Sequence, residues 1–181
     1  ANLSYMFAES VYLREITRMS DVGSGVFADL SYMFQNCVSM REVGSSAEVT
    51  NFGSGQNANL QYTFSGVLTN DTYRPENQRY YPVFRFRDMG TGGNADLSHM
   101  FEGSFTFENG NNVNYYDVTV FIQSSNFANS VGVANMAHMF DGCSRLGQLD
   151  MTAFAGMTNT VTSSVRSMES MFQGCSKIRT F

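Results

Sequence analysis

One short string recurs along this chain and constrains what it can fold into more than any other feature. It opens as Ala1-Asn2-Leu3-Ser4-Tyr5-Met6-Phe7 and returns as Ala28-Asp29-Leu30-Ser31-Tyr32-Met33-Phe34 and Ala58-Asn59-Leu60-Gln61-Tyr62-Thr63-Phe64. Three further copies follow: Ala95-Asp96-Leu97-Ser98-His99-Met100-Phe101, Ala134-Asn135-Met136-Ala137-His138-Met139-Phe140 and Arg166-Ser167-Met168-Glu169-Ser170-Met171-Phe172. Starts at 1, 28, 58, 95, 134 and 166 give spacings of 27, 30, 37, 39 and 32 residues. A constant string on variable connections marks a repeat array, in which each unit is too small to bury its own apolar face and stacks on its neighbours. Residues 1–181 are therefore expected to form one array of six units. Because both ends of the chain fall inside a repeat, the expectation is a piece of something longer.

Each repeat position has a physical reading. The second holds Asn2, Asp29, Asn59, Asp96, Asn135 or Ser167, all residues whose side chains accept from the first free amides of a helix. The ninth holds Glu9, Asn36, Gly66, Gly103, Gly142 or Gly174, a set rich in residues that tolerate the left-handed conformation ending one. Between them the apolar positions follow the stripe of a helical face, as in Leu30, Met33, Phe34 and Cys37. Phe7, Phe34, Phe64, Phe101, Phe140 and Phe172 are the expected stacking core. A strand-like stretch follows in each copy, for instance Val83 to Met89, Asp117 to Ile122 and Arg145 to Met151. Corners such as Val22-Gly23-Ser24-Gly25, Phe52-Gly53-Ser54-Gly55 and Met89-Gly90-Thr91-Gly92 lead back. The expected fold is a leucine-rich-repeat-like solenoid, with one short helix or 3₁₀ turn and one short parallel strand in each of six repeats.

Composition narrows the partners. Charged residues make up 15% of the chain, where about a quarter is usual. Net charge is −5 and Lys177 is the single lysine, which argues against nucleic acid as a ligand. No apolar run approaches the roughly 18 residues a membrane-spanning helix needs.

The strings Met139-Phe140-Asp141-Gly142-Cys143-Ser144-Arg145-Leu146 and Met171-Phe172-Gln173-Gly174-Cys175-Ser176-Lys177-Ile178 resemble the BspA-type leucine-rich repeat, with its Met-Phe-x-Gly-Cys-x-x-Leu core. That family occurs in bacterial surface proteins, mycoplasma lipoproteins and some protist surface proteins. The resemblance implies surface display, adhesion to a host or neighbouring-cell ligand, and no catalytic residues. Copies three and four depart from it, with Val67 and Ser104 at the cysteine position and long connections.

The candidate chemistry is sparse. Cys37, Cys143 and Cys175 share one repeat position and read as small buried residues, although a bridge between Cys143 and Cys175 stays open if stacking brings them close. His99 and His138 share the fifth position with Tyr5, Tyr32 and Tyr62, and no third ligand joins them at metal-site spacing. No cofactor motif or catalytic constellation stands out, so an enzyme is not expected. The most informative departures are the insertions 70–79 and 105–114, in consecutive copies. They bring Tyr73, Arg74, Arg79, Tyr80, Asn111, Asn112 and Tyr115 towards one face, and Tyr, Arg and Asn build adaptable recognition surfaces. Two loops packed together over a sheet edge is the competing reading. The leading expectation is an extracellular or cell-surface adhesion module that binds protein or glycan through its sheet face and these insertions. The alternative is a structural subunit of a fibre, sheath or virion appendage that self-associates through open repeat ends.

Overall fold

The structure, a computed structural model, describes residues 1–44, 49–70, 81–107, 117–123, 132–150 and 163–180, with backbone alone at 132, 133, 163 and 164. Consecutive copies of the repeated string lie side by side. Parallel bridges join Asn2 to Asp29, Asp29 to Asn59, Asn59 to Asp96 and Asp96 to Asn135.

No helix forms among the described residues, which corrects the expected helix-plus-strand solenoid to a parallel sheet joined to a column of turns. The hydrogen bonds show why. A helix would send each amide to the carbonyl four residues back. In the first copy the amides of Leu3, Tyr5, Phe7 and Glu9 go instead to the carbonyls of Asp29, Ser31, Met33 and Gln35 in the second, at 2.7–3.1 Å. The intervening amides of Met6, Ala8 and Ser10 close tight turns onto Leu3, Tyr5 and Phe7. The same two-way alternation recurs in later copies, for example His99 to Ala137 and Phe101 to Met139 across copies, with Met100 to Leu97 within one. Half of the backbone donors thus serve stacking, and a helix would leave none for it.

Backbone conformation enforces this. The fifth and ninth positions both carry positive φ: Tyr5 57° and Glu9 60°, Tyr32 58° and Asn36 56°, His99 58° and Gly103 65°. A left-handed residue every fourth step cannot propagate a right-handed helix. At the ninth position Gly and Asn make it inexpensive. At the fifth, bulky Tyr sits where such residues rarely do, at a cost of roughly 1–3 kcal/mol each, while His is better tolerated there. Stacking offsets it. Tyr5, Tyr32, Tyr62, His99 and His138 form a continuous ladder with ring centroids 4.6–4.9 Å apart and planes within 11°. Each such pair is worth about 0.5–1.5 kcal/mol beyond its buried area.

The second-position side chains do accept from the backbone, but in an Asx turn. Asn2, Asp29, Asn59 and Asp96 each take the amide two residues on at 2.9–3.2 Å. Asn and Asp alternate along this row. A column of carboxylates at the roughly 4.8 Å spacing of stacked strands would repel. The amide of Asn59 instead donates to Asp29 at 3.2 Å.

On the other side, parallel strands continue each copy. The first copy contributes β1 (Glu15–Ile16) and β2 (Met19–Ser20), the second β3 (Glu42–Val43) and β4 (Val49–Thr50). The third has β5 (Val83–Arg87) and the fourth β6 (Val118–Gln123). Then come β7 (Gly132–Asn135), β8 (Leu146–Asp150) and β9 (Ser163–Ser167). β3 pairs with the first half of β5 and β4 with the second, so one unbroken strand in copy three spans both short strands of copy two. β5, β6 and β8 then follow in parallel, and β7 pairs with β9 in a separate two-stranded sheet.

The core lies between turn column and sheet. Phe34, Phe64, Phe101 and Phe140 from the turns and Phe84, Phe86, Val120, Ile122, Leu146 and Leu149 from the strands are buried in it. Phe7, Phe34, Phe64, Phe101, Phe140 and Phe172 stack in sequence at 5.1–5.8 Å. Phe84 and Phe86 meet this ladder edge-on or tilted, at 5.3–6.4 Å from Phe64 and Phe101. At the Gly-rich corners a Cβ on Gly55 would overlap the Gly25 carbonyl, and one on Gly92 the Gly55 carbonyl. Those corners admit no side chain because backbones touch there.

Candidate functional site

The residues of β5, β6 and β8 that point away from the core form the open face of the sheet. Val83, Thr119 and Gln148 share one row, and Arg85, Phe121 and Asp150 the next. The Arg85 guanidinium lies 5.3 Å from the Phe121 ring, a cation–π contact, and Gln123 donates to Asp150 at 3.2 Å. The register breaks at one place. Val118 pairs with Leu146 but Thr119 with Gln148, so Gly147 is the extra residue of a bulge. A Cβ on Gly147 would overlap that of Asp117, so the absence of a side chain lets Asp117 lean across β8.

Around this bulge Tyr81, Asp117, Thr119, Gly147, Gln148, Arg179 and Thr180 line an open groove of about 240 Å³. Three copies contribute to it besides β8: Tyr81 just ahead of β5, Asp117 just ahead of β6, and the last copy through Arg179 and Thr180. The last copy is held by the Thr180 bridge to Gln148 and the Arg179 amide on the Gly147 carbonyl at 3.0 Å. The Asp117 carboxylate is the electrostatic centre. Arg179 Nη2 donates to its Oδ2 at 3.1 Å, and Arg145 Nε lies 3.4 Å from Oδ1 without a hydrogen bond. Arg145 is anchored by its guanidinium over the Phe107 ring at 5.1 Å. Two cations on one carboxylate leave the groove with local positive charge in an otherwise acidic chain. Arg179 is 73% exposed and Tyr81 49%, so both present groups to solvent. The groove offers amide, hydroxyl and guanidinium hydrogen bonds beside one aromatic ring.

Of the residues singled out in the sequence, Tyr73, Arg74, Arg79, Tyr80, Asn111, Asn112 and Tyr115 lie outside the described residues. The histidines join the fifth-position ladder, with Nδ1 of His99 2.8 Å from Glu102 and Nδ1 of His138 2.9 Å from Asp141. The three cysteines are free thiols. Each donates to the seventh-position carbonyl of the preceding copy: Cys37 to Phe7 at 3.2 Å, Cys143 to Phe101 and Cys175 to Phe140 at 3.0 Å. Ser104 does the same to Phe64 at 2.7 Å, while accepting the Val67 amide at 3.1 Å. Burial pushes the Cys37 thiol up to about 11 and that of Cys143 well above its ordinary value. Hydrogen bonding to Cys143 lowers Cys175. The shared cysteine position is thus a donor position between layers.

The groove residues escaped the sequence reading, although one signal was there. Gly147 interrupts an apolar strand pattern, and glycine inside a strand marks a bulge or a close approach.

Fold and site together define a protein of stacked turn-and-strand layers with an open, polar sheet face. The chain belongs to the family described as Mycoplasma protein of unknown function, DUF285, which matches residues 88–180. The BspA-type leucine-rich repeat is not itself matched. Comparison with curated proteins and with solved structures returns no match.

Proposed function

We propose that this chain is a non-catalytic binding module displayed on a cell surface, and that it takes a glycan in the groove around Gly147. The single observation that carries this reading is the composition and exposure of that groove. An exposed tyrosine ring borders a cluster of Thr, Gln, Asp and Arg groups at a parallel sheet. Such a mixture suits a hydroxyl-rich ligand, whose apolar ring face packs on an aromatic and whose hydroxyls exchange hydrogen bonds with planar polar groups. The two insertions run in sequence directly into it, 70–79 ahead of Tyr81 and 105–114 ahead of Asp117. Tyr73, Arg74, Arg79, Tyr80, Asn111, Asn112 and Tyr115 are proposed to extend the same surface.

A printed glycan array tests this directly. The native chain is expected to retain a defined set of glycans, and Tyr81→Ala and Arg179→Ala each to reduce that signal at least tenfold, with Glu169→Ala as a control remote from the groove. Retention unchanged in both groove variants, or an array silent for the native chain, overturns the glycan assignment.

A further inference from the structure

Charge is spread unevenly over the molecule, and we infer that the groove around Gly147 takes an acidic glycan, a short saccharide bearing a carboxylate or a sulfate. This rests on the glycan reading above and adds the ligand's charge to it. The whole chain carries −5. On the open face of copies three to six the sign reverses. Arg85 and Arg87 lie on β5, and Arg145 and Arg179 converge on Asp117. Among the described residues the acids of the same face are Asp117 and Asp150, so four arginines meet two aspartates, an excess of two positive charges. Glu42 of copy two is the next acid, two strands away from Thr119 in the same row. Others stand in the turn column, as Asp29, Asp96, Glu102 and Asp141 do. Three of the four arginines belong to inner copies: β5 lies between β3 and β4 on one side and β6 on the other, and Arg145 belongs to copy five.

The groove also positions a guanidinium for an anion. Asp117 leans over β8 because Gly147 has no side chain, and it accepts from Arg179 Nη2 at 3.1 Å. That bond orients a planar fork of donors and, among the described residues, leaves its other N–H groups to a ligand. A carboxylate or sulfate presents paired oxygens that match the fork, and such charge-assisted contacts are stronger than neutral ones. Arg145 adds its field from a fixed place, with its guanidinium over Phe107 at 5.1 Å and its Nε 3.4 Å from Asp117. Asp117 is therefore a positioning residue whose own charge is offset by both cations. Tyr81 supplies a ring for the sugar's apolar face, and Thr119 and Gln148 supply partners for its hydroxyls. Two residues along the strands, roughly 6.6 Å away, a second cation sits on the face. There Arg85 lies 5.3 Å from the Phe121 ring, within reach of the next sugar unit. An excess of two charges suits one or two acidic groups. A long polyanion would meet the −5 of the whole molecule.

Matched pairs of saccharides titrated against the native chain test this. Lactosamine capped with glucuronate or with sialic acid is compared with lactosamine capped with glucose, and sulfated lactosamine with the unsulfated form. At least one acidic member should bind roughly tenfold more tightly than its neutral twin, and which one does so separates carboxylate from sulfate. The preference should shrink as sodium chloride rises from about 0.05 to about 0.5 M, while binding of the neutral twin holds. Arg179→Gln removes the charge and keeps an amide donor, so it should erase the preference. Arg85→Gln should reduce it in part, and Tyr81→Ala should weaken acidic and neutral members alike. Neutral twins that bind as tightly as the acidic ones, or a preference that survives Arg179→Gln and high salt, overturn the charge assignment and leave the glycan reading standing. Binding of heparin oligomers that strengthens steadily with length overturns it too. Silence from every pair, acidic and neutral, removes the glycan reading and this inference with it.

Discussion

The turn column and the sheet are built from the same six copies and follow opposite rules. In the column, positions one to ten keep their backbone conformation and ring stacking from Tyr5 and Phe7 through to His138 and Phe172. In the sheet, two-residue strands in the first copies give way to strands of five and six residues, and a bulge appears at Gly147. The column is constant because each of its rings stacks on an aromatic ring one layer away, so a change in one copy strands its neighbours on both sides. The sheet's outer residues meet solvent and are free to differ. Stability is thus concentrated where copies are alike, and the proposed glycan groove lies where they differ.

That contrast can be broken at graded sites. The largest effect belongs to the column's middle. Phe101→Ala, fully buried and stacked on both sides, should lower unfolding free energy in urea by about 3–5 kcal/mol, and Phe7→Ala at the end by about 1 kcal/mol. Equal losses would mean that stacking from both sides adds nothing. Gly147→Ala should cost about 1–3 kcal/mol, because its Cβ displaces Asp117, and should abolish glycan retention on the array while leaving the folded circular dichroism spectrum intact. Ser104→Ala should cost about 1–2 kcal/mol, since both the Val67 amide and the Phe64 carbonyl lose their buried partner.

A smaller effect should follow pH. The Cys37 thiol titrates at about 11 in the folded chain against an ordinary value of 9.0, so the native state holds that proton more tightly than the unfolded one. Its contribution is complete below pH 9 and is lost as pH rises through about 11. Urea midpoints measured across that window should fall, and Cys37→Ala should flatten the fall. Least of all, Arg179→Ala should change stability by less than about 0.5 kcal/mol, because an exposed ion pair is screened by water. A large loss there would place Arg179 in the scaffold and not in the proposed glycan groove.

The sequence made the layers legible but not their conformation. The six phenylalanines, the shared cysteine position and the strand stretches were all visible as periodic chemistry. Position two was recognisable as a backbone-capping acceptor, yet Asn and Asp cap a helix and an Asx turn by the same hydrogen bond, and an apolar stripe of the form three, six, seven, ten does not distinguish the two. The deciding feature, a left-handed Tyr or His at position five, contradicts what those residues prefer in isolation. Likewise Tyr81, Asp117, Gln148 and Arg179 are more than sixty residues apart at their extremes and share no pattern; a register shift of one residue brings them together.

What the sequence determined by itself is therefore the repeat, its six copies and which side chains stack, because each is a local and periodic property. What only the tertiary structure decided is where the backbone amides go. An amide can serve its own turn or the next layer, and that choice depends on a neighbour some thirty residues away being already in place. Once layers lie within hydrogen-bonding distance, every second amide is drawn outward and the helix is forfeited. The strained fifth position is then held by the rings above and below it, and the open groove forms where one layer carries a residue too many.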